Sequence, residues 1–290
     1  DVVVNYVMRR YDMGGSFGYD GTQSTKSWFG NHNVNGKLNF GKSEISFYYG
    51  TNQQYFEELW YKRTETFTFE DGSQYHRHQQ TEPVYSKGYD GNGGLTYNLQ
   101  DGNKYMLNIT AKLNHGADPT REEKGKLYTE EYPELVTDRI DMYHGSDFTP
   151  SLDIYYQRNL KNKQFLAFNA VGTYMRTTRQ SQYKEFLNNE PIVDYSSSVK
   201  GKKYSLIAEG IYEKSFANGG RLNTGIKHTQ SYTNNLYDGT LFYHTQMRQA
   251  VSYGYVQYNG RWQKLRYGFG VGATRSWFHQ DGQKEYEKWS

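Results

Sequence analysis

The sequence is organised as pairs of short segments in which apolar and polar residues alternate, joined by a very short polar turn. In the first pair, Val34, Leu38 and Phe40 fall on one side, and the residues between them include several Asn and Lys. A period of two is the repeat of a β-strand, because successive side chains of a strand point to opposite faces. The pattern therefore predicts antiparallel hairpins with one apolar face and one polar face.

Five such pairs follow one another along the chain. Their predicted turns lie at 41–43, 101–103, 161–163, 218–220 and 259–260. In the fifth pair, Tyr253 and Tyr255 are expected to continue the apolar face of Phe269. Long polar stretches separate the pairs, at roughly 60–90, 115–148, 178–200 and 230–245. Counted from Gly15, the pattern predicts about eleven strands, with short turns at one end of the sheet and long loops at the other.

The composition favours a membrane-embedded sheet. The 290 residues include 30 Tyr and 30 Gly, aromatics make up 17%, and yet the mean hydropathy is −0.97. A soluble core of this size would need more Leu, Ile and Val, and disordered chains are poor in aromatics. In a transmembrane barrel, lipid-facing apolar residues alternate with polar lumen-facing ones, so the mean hydropathy stays low. We expect an all-β, antiparallel transmembrane barrel, with short periplasmic turns and long extracellular loops, in the outer membrane of a Gram-negative bacterium; a soluble all-β fold is the alternative.

Several functional classes are disfavoured. The net charge is +3 with scattered Lys and Arg, which does not form the basic footprint of a nucleic-acid-binding protein. The absence of Cys excludes disulfides and thiolate metal sites. No stretch approaches the about 20 apolar residues of a membrane helix. The chain opens at Asp1 in a strand-like pattern without a signal peptide, which we interpret as the loss of part of a longer precursor.

Two groups of residues could in principle bind a metal. His76 and His78 are two apart, so on an extended segment their imidazoles would share a face. Carboxylate pairs that could attract Ca²⁺ occur at 57–58, 122–123 and 130–131. Neither group has the spacing of a dedicated site, and solvated loops explain both. No metal or cofactor is predicted.

Catalytic chemistry is not predicted either. The sequence contains Ser residues and several histidines, among them His115, His144, His228 and His244. No motif, however, places a nucleophile beside a base. The glycine-rich segment at 14–18 lacks the buried strand and following helix of a nucleophile elbow. We therefore expect a protein that is not an enzyme.

The aromatic residues allow two interpretations. Aromatics at predicted strand ends are typical of the two interfacial girdles of a membrane barrel; they are Trp28, Phe29, Trp60, Tyr61, Tyr174, Trp262 and Trp277. Aromatics in the predicted loops could instead stack on a sugar or another ligand; they are Tyr75, Tyr128, Tyr132, Tyr143 and Tyr237. The sequence does not identify which residues contact a ligand.

The residues also resemble a known family. Residues 1–10, DVVVNYVMRR, resemble the strand that closes the plug domain of TonB-dependent outer-membrane receptors. The glycine-rich segment 14–18 follows as the first barrel strand does in that family. Residues 31–49 and 253–273 are similar to barrel strands of the version common in Bacteroidetes.

The resemblance implies a barrel of about 22 strands around a plugged lumen. The chain would divide into residues 1–13, the end of the plug junction, and residues 14–290, about half of the barrel. The plug itself, the TonB-contacting box and the terminal aromatic strand of the family are not in this sequence. The lumen-facing residues would include Asn35, Lys37, Asn108, Lys112 and Asn169.

The function implied is binding of a scarce nutrient at the cell surface and TonB-dependent import of that nutrient. The implied partners are outer-membrane lipids, the TonB complex acting through the plug, an unidentified nutrient ligand and a surface lipoprotein, with no nucleic acid. The alternatives are a structural or adhesive outer-membrane barrel that transports nothing, and a passive porin.

Overall fold

The computed structural model describes residues 13–25, 28–240 and 242–290, and the strands of this part of the chain form one sheet. The strands are β1 (Met13–Gln23), β2 (Gly30–Phe40), β3 (Ser43–Leu59), β4 (Lys62–Thr68), β5 (Gln74–Thr81), β6 (Val84–Asp101), β7 (Tyr105–Thr129), β8 (Thr137–Leu160), β9 (Gln164–Leu187), β10 (Glu190–Ser215), β11 (Arg221–Gly239), β12 (Tyr243–Trp262), β13 (Leu265–Gln280) and β14 (Tyr286–Trp289). The predicted plug junction at 1–13 lies outside the described residues except for Met13, which begins β1.

The sheet is antiparallel, and almost every strand pairs with its neighbours in sequence. The spatial order is β1-β2-β3-β6-β7-β8-β9-β10-β11-β12-β13-β14, while the β4–β5 hairpin attaches to β7 through β5. The all-β antiparallel prediction is confirmed. Eleven of the strands are 11 residues or longer. β1 has 11 residues, and the longest strand, β10, has 26. Within the described ranges no pairing joins β1 to β14, and no helix is long and apolar enough to cross a membrane.

The register separates the side chains into two faces. Directly paired residues in adjacent antiparallel strands point to the same side of the sheet. One rung across the sheet carries Leu38, Ile45, Tyr97, Ile109, Ile154, Ala170 and Ala208. The neighbouring rung points the other way and carries Lys37, Ser46, Thr96, Thr110 and Asp153. We call these two sides the apolar face and the polar face.

No second layer of the described residues covers the apolar face. In the described part of the chain, the buried hydrophobic side chains are limited to Leu127 and Ala167. Phe17, Leu95 and Phe269 on the apolar face are 73%, 53% and 66% exposed. A soluble domain buries such a face against another layer of secondary structure. This sheet is a single layer whose apolar face meets no other part of the described protein.

Four of the five predicted turns are confirmed, and the fifth is wrong. The observed turns between strands lie at 41–42, 102–104, 161–163 and 216–220, as expected. Asn259 and Gly260, however, lie inside β12, and the chain turns at Gln263, where the backbone adopts a φ of 56°. The Asn259-Gly260 dipeptide did not mark a turn, because Gly260 pairs with Tyr267 inside the sheet. The Tyr267 ring occupies the space that a side chain at 260 would fill.

The pairing of β12 with β13 places two tyrosines on a different face from the one expected. Tyr253 pairs with Thr274 and Tyr255 with Gly272, so both lie on the polar face, on the opposite side from Phe269. Their rings are stacked with centroids 5.6 Å apart. The expectation that Tyr253 and Tyr255 continue the apolar face is therefore wrong, because the register pairs odd-numbered residues of β12 with even-numbered residues of β13, whereas Phe269 is odd-numbered.

The predicted long loops are also wrong for the most part. The stretch 60–90 contains the β4–β5 hairpin, and 115–148 is filled by the ends of β7 and β8 apart from residues 130–136. The stretch 178–200 narrows to a turn at Asn188 and Asn189, with φ of 53° and 68°. These strands are polar on both faces, so they lack the alternation of hydropathy that identifies a strand, although backbone pairing needs none.

The turn position can be tested with two glycine substitutions. Gln263→Gly is expected to stabilise the protein by about 0.5–1 kcal/mol, because glycine adopts a positive φ without steric cost. Asn259→Gly is expected to destabilise it by about the same amount, because glycine weakens the interior of a strand. Guanidinium unfolding in detergent measures both changes. The opposite order would place the turn at 259–260.

Candidate functional site

A cluster of charged and tyrosine side chains lies on the polar face where the β4–β5 hairpin meets β7, β8 and β9. We call it the charged cluster; it comprises Arg63, Glu65, Arg77, Arg121, Glu123, Arg139, Asp141, Arg179, Glu185, Tyr61, Tyr143 and Tyr183. The register explains why these side chains converge, because each rung presents them on one side. One rung pairs Glu123 with Asp141 and Asp141 with Tyr183.

Glu123 and Arg139 form the centre of the charged cluster. They are only 5% and 8% exposed. An Arg139 Nη lies 2.5 Å from Asp141 and 3.6 Å from Glu123, and Arg121 lies 3.1 Å from Glu123. A buried charge is tolerated only when it is paired and hydrogen-bonded. The partners on β7 and β8 therefore hold these two side chains in one arrangement.

Side chains also attach the β4–β5 hairpin to the sheet. The Tyr61 hydroxyl donates a 2.7 Å hydrogen bond to Glu123 and accepts one of 3.0 Å from Gln79. Arg63 donates to Gln79 at 3.1 Å, and Arg77 forms an ion pair of 2.5 Å with Glu65. Backbone pairing of β5 with β7 covers only Arg77 to Thr81. The Arg63 and Arg77 contacts join β4 to β5 within the hairpin, whereas the Tyr61–Glu123 hydrogen bond links the hairpin region to β7.

The environment of the charged cluster shifts several pKa values. The hydrogen bond from Arg77 lowers the pKa of Glu65. Burial raises the pKa of Tyr61, and the hydrogen bond to Glu123 adds to this. Burial and a hydrogen bond to Glu185 raise the pKa of Tyr183 to about 12. Burial alone would lower the pKa of Arg139, but the hydrogen bond to Asp141 and nearby negative charge outweigh burial and raise it. All of these groups therefore keep their ordinary charge at neutral pH.

Two pockets open in this region of the polar face. The first has a volume of about 320 Å³ and is lined by Tyr61, Arg63, Arg121, Glu123, Arg139, Asp141 and Tyr143. The second has a volume of about 240 Å³ and is lined by Tyr75, Arg77, Leu127, Tyr128, Thr129, Tyr132, Leu135, Thr137 and Glu185. The first pocket, with three guanidinium groups and two carboxylates, is the stronger candidate for ligand binding.

The structure brings most of the loop tyrosines considered for ligand stacking to these pockets. Tyr143 lines the first, and Tyr75, Tyr128 and Tyr132 line the second. Tyr237 lies elsewhere, with its ring 6.1 Å from that of Tyr243.

Of the aromatics considered for the girdles, Tyr61 belongs to the charged cluster. Tyr174 lies in a row of rings on the apolar face, between Phe148 and Tyr204.

The arginines of the charged cluster were not predicted as site residues. They fall in stretches interpreted as loops, where charge is the usual property of solvated side chains. A signal was present, because Arg, Glu, Asp and Tyr recur at every second position in Tyr61 to Glu65, Arg121 to Glu123 and Arg139 to Tyr143. Alternation among polar residues alone would have placed them on one face of a strand.

The residues considered for metal binding have other contacts. His76 and His78 lie on one face of β5, where Thr66 and Thr64 contact their Nδ1 atoms and Glu130 lies 3.1 Å from His78. Glu122 and Glu123 point to opposite faces of β7, and Glu122 pairs with Lys124 at 3.0 Å. Across the described ranges, no group of three or more His, Asp or Glu side chains is placed to hold a metal ion.

Among the candidate catalytic residues, His228 contacts a serine. His228 Nδ1 lies 2.8 Å from the Ser252 hydroxyl on the apolar face. His115 contacts Tyr49 at 2.9 Å, and His244 contacts Asn234 at 2.8 Å. Ser16 lies within the extended strand β1. That the protein is not an enzyme stays a prediction.

The residues predicted to face a lumen share the polar face. Asn35, Lys37, Asn108, Lys112 and Asn169 all fall on it by register. Lys37 forms an ion pair of 2.7 Å with Glu44, whose carboxylate also accepts a hydrogen bond from Asn98. Asn108 donates in turn to Asn98 at 2.5 Å. Polar networks of this kind cross several strands.

Comparisons with protein-family models, curated proteins and solved structures give no match to this chain.

The pairing of β4 with β5 is expected to depend on acid pH through Glu65, which forms ion pairs with Arg77 and Arg63. Its folded-state pKa lies below the ordinary value of 4.5, so its contribution to stability is present above about pH 4.5 and is lost as the pH falls through the lowered value. Amide hydrogen exchange of residues 62–68 should accelerate below pH 4.5. Glu65→Gln should already exchange faster at pH 7 and lose this acid response. An unchanged response in Glu65→Gln would contradict the assignment.

Proposed function

We propose that this chain is part of the wall of an outer-membrane β-barrel receptor, which captures a small polar nutrient at the cell surface and imports it with TonB-derived energy. The observation that carries the proposal is the single-layer sheet whose apolar face is covered by no described part of the protein. Exposed apolar surface of this extent is costly in water, whereas lipid covers it without cost.

The dimensions of the apolar belt support a membrane location. On β9, the apolar-face residues run from Leu166 to Tyr174, nine residues along the strand. A tilted transmembrane strand needs about 9–11 residues to cross the bilayer. Beyond Tyr174 the same face of β9 continues with Arg176, Thr178 and Gln180. The belt therefore ends where a bilayer boundary is expected.

A row of aromatic rings marks that boundary. Phe148, Tyr174, Tyr204 and Tyr232 contact one another across β8 to β11, with centroids 6.5, 4.9 and 6.2 Å apart. The Arg248 guanidinium lies 5.5 Å from the Tyr232 ring and extends the row to β12. Tyrosines and basic side chains collect at the level of lipid headgroups, because they have an apolar body and a polar tip.

The strands continue well beyond this row. β9 extends another thirteen residues, Met175 to Leu187, which is about 43 Å along the strand. The charged cluster lies on this extension and on the polar face, which is the lumen side in the proposed barrel. A ligand captured there would stand at the outer mouth of the lumen. This position supports a receptor over a passive porin, which needs no built pocket at its entrance.

The edges of the sheet require partners in the proposed membrane location. Unpaired backbone groups of β1 and β14 would be costly in lipid, so we propose that further strands close the barrel.

The proposed TonB-dependent import requires the energised TonB complex for accumulation of the nutrient inside the cell. Cells lacking TonB should retain surface binding of the nutrient and lose its accumulation. Accumulation without TonB, together with a steady conductance of the purified protein, would favour a passive porin.

The membrane assignment is tested by labelling two adjacent positions of β8. The chain contains no Cys, so Leu152→Cys and Asp153→Cys each give a single thiol. Position 152 lies on the apolar face and position 153 on the polar face. In lipid vesicles, a membrane-impermeant charged maleimide should label position 153 and spare position 152, while a lipid-soluble maleimide labels 152. Equal labelling of both thiols by the charged reagent would contradict the proposal.

A further inference from the structure

We infer that the 320 Å³ pocket of the charged cluster binds a small hydroxylated ligand carrying a single carboxylate, such as an acidic sugar. The inference names a ligand class for the proposed receptor and rests on that proposal for its biological role. The binding itself is inferred from the size of the pocket and from the charges and hydrogen-bonding groups of its lining residues. Its size is at the lower end of small-molecule sites, which excludes long chains from lying wholly inside it.

The charge of the lining selects one negative charge. Three guanidinium groups, of Arg63, Arg121 and Arg139, face two carboxylates, of Glu123 and Asp141, so the lining carries one net positive charge. A ligand with one carboxylate would neutralise it. A neutral ligand would leave it unbalanced, and a ligand with several negative charges would meet the two carboxylates at close range.

Two of the three arginines have donors to spare. Arg121 uses Nε and Nη2 on Glu123, and Arg63 uses Nη2 on Glu65 and Gln79. Within the described ranges, the Nη1 group of each has no protein acceptor, and their side chains are 55% and 52% exposed. Guanidinium groups match the geometry of a carboxylate and form strong charge-assisted hydrogen bonds with it. Arg63 and Arg121 are therefore the groups that would hold the ligand carboxylate.

The rest of the pocket is suited to hydroxyl groups. Asp141 keeps acceptor capacity beside its bond to Arg139, and its side chain is 34% exposed. The Tyr143 hydroxyl accepts a 2.6 Å hydrogen bond from Arg179, which leaves its own proton for a ligand oxygen. Donors and acceptors thus alternate around one small volume, as recognition of a polyhydroxylated body requires.

The pocket is arranged before a ligand enters. Glu123 and Arg139 are more than nine-tenths buried and fixed by partners on β7, β8 and the segment before β4. Charged groups that are already held in place lose little conformational freedom on binding. This favours selective binding by a site that is small and largely polar.

The test is titration calorimetry of the purified full chain in detergent, with glucuronate and glucose as the two probes. Glucuronate is expected to bind at least about tenfold more tightly than glucose, because it adds one charge-assisted pair. Arg121→Gln should weaken glucuronate binding by about tenfold and so remove most of the preference for glucuronate over glucose. Arg221→Gln, on the polar face at the turn end of β11, is the matched control, because Arg221 is 58% exposed and lies 4.0 Å from Glu213; it should change neither affinity.

Equal affinity for the two sugars, binding of neither, or the same loss in Arg121→Gln and Arg221→Gln would each overturn the inference. Unchanged guanidinium unfolding of Arg121→Gln verifies that the variant folds. The result is separable from the membrane proposal. If glucuronate fails while position 152 remains protected by lipid, only the ligand class is wrong; if position 152 is labelled from water, the membrane assignment fails whatever the pocket binds.

Discussion

The backbone hydrogen-bond ladder between antiparallel strands is the interaction on which this structure depends. Among the described residues almost no apolar side chain is buried, so there is no hydrophobic core to hold the sheet together. The ladder instead satisfies the backbone from strand to strand and fixes the register. Because side chains alternate along a strand, the register alone decides which of them share a face. Lipid, in our account, supplies the apolar burial that a second protein layer would supply in a soluble domain.

The same hydrogen-bond ladder runs through two different environments along one strand. On β9, Leu166 and Phe168 belong to the apolar belt, whereas Tyr183 and Glu185 lie far beyond it in the charged cluster. Pairing continues without interruption through both regions, since it is indifferent to the chemistry of the side chains. The rigid strands can therefore carry a polar site away from the membrane, and flexible loops are not needed to form it. The buried pair of Glu123 and Arg139 is tolerated there because carboxylates, guanidinium groups and Tyr61 surround it.

The sequence predicted the part of the fold in which hydropathy alternates. Leu107, Ile109 and Leu113 identify β7 near the turn, and Asp101-Gly102 identifies the turn itself. The second half of β7 was not predicted, because Arg121, Glu122, Glu123 and Lys124 are charged on both faces and carry no hydropathy signal. For the same reason the sequence did not bring the site together: Tyr143 was considered for ligand stacking, Glu123 for Ca²⁺ and Tyr61 for a girdle, and its arginines were missed. The fifth turn failed for another reason, since an Asn-Gly pair also fits a strand where an opposing tyrosine covers the glycine.

Two claims are central: lipid contacts one face of the strands, and this contact ends at the row of aromatic rings. Nitroxide labels placed singly at each position of β9 from 165 to 187 would test both points by electron paramagnetic resonance in lipid vesicles. The account predicts that access of oxygen, which is enriched in lipid, peaks at every second position from Leu166 to Tyr174 and then falls to a uniform low value. A period that continues to Leu187, or no period at all, would contradict it.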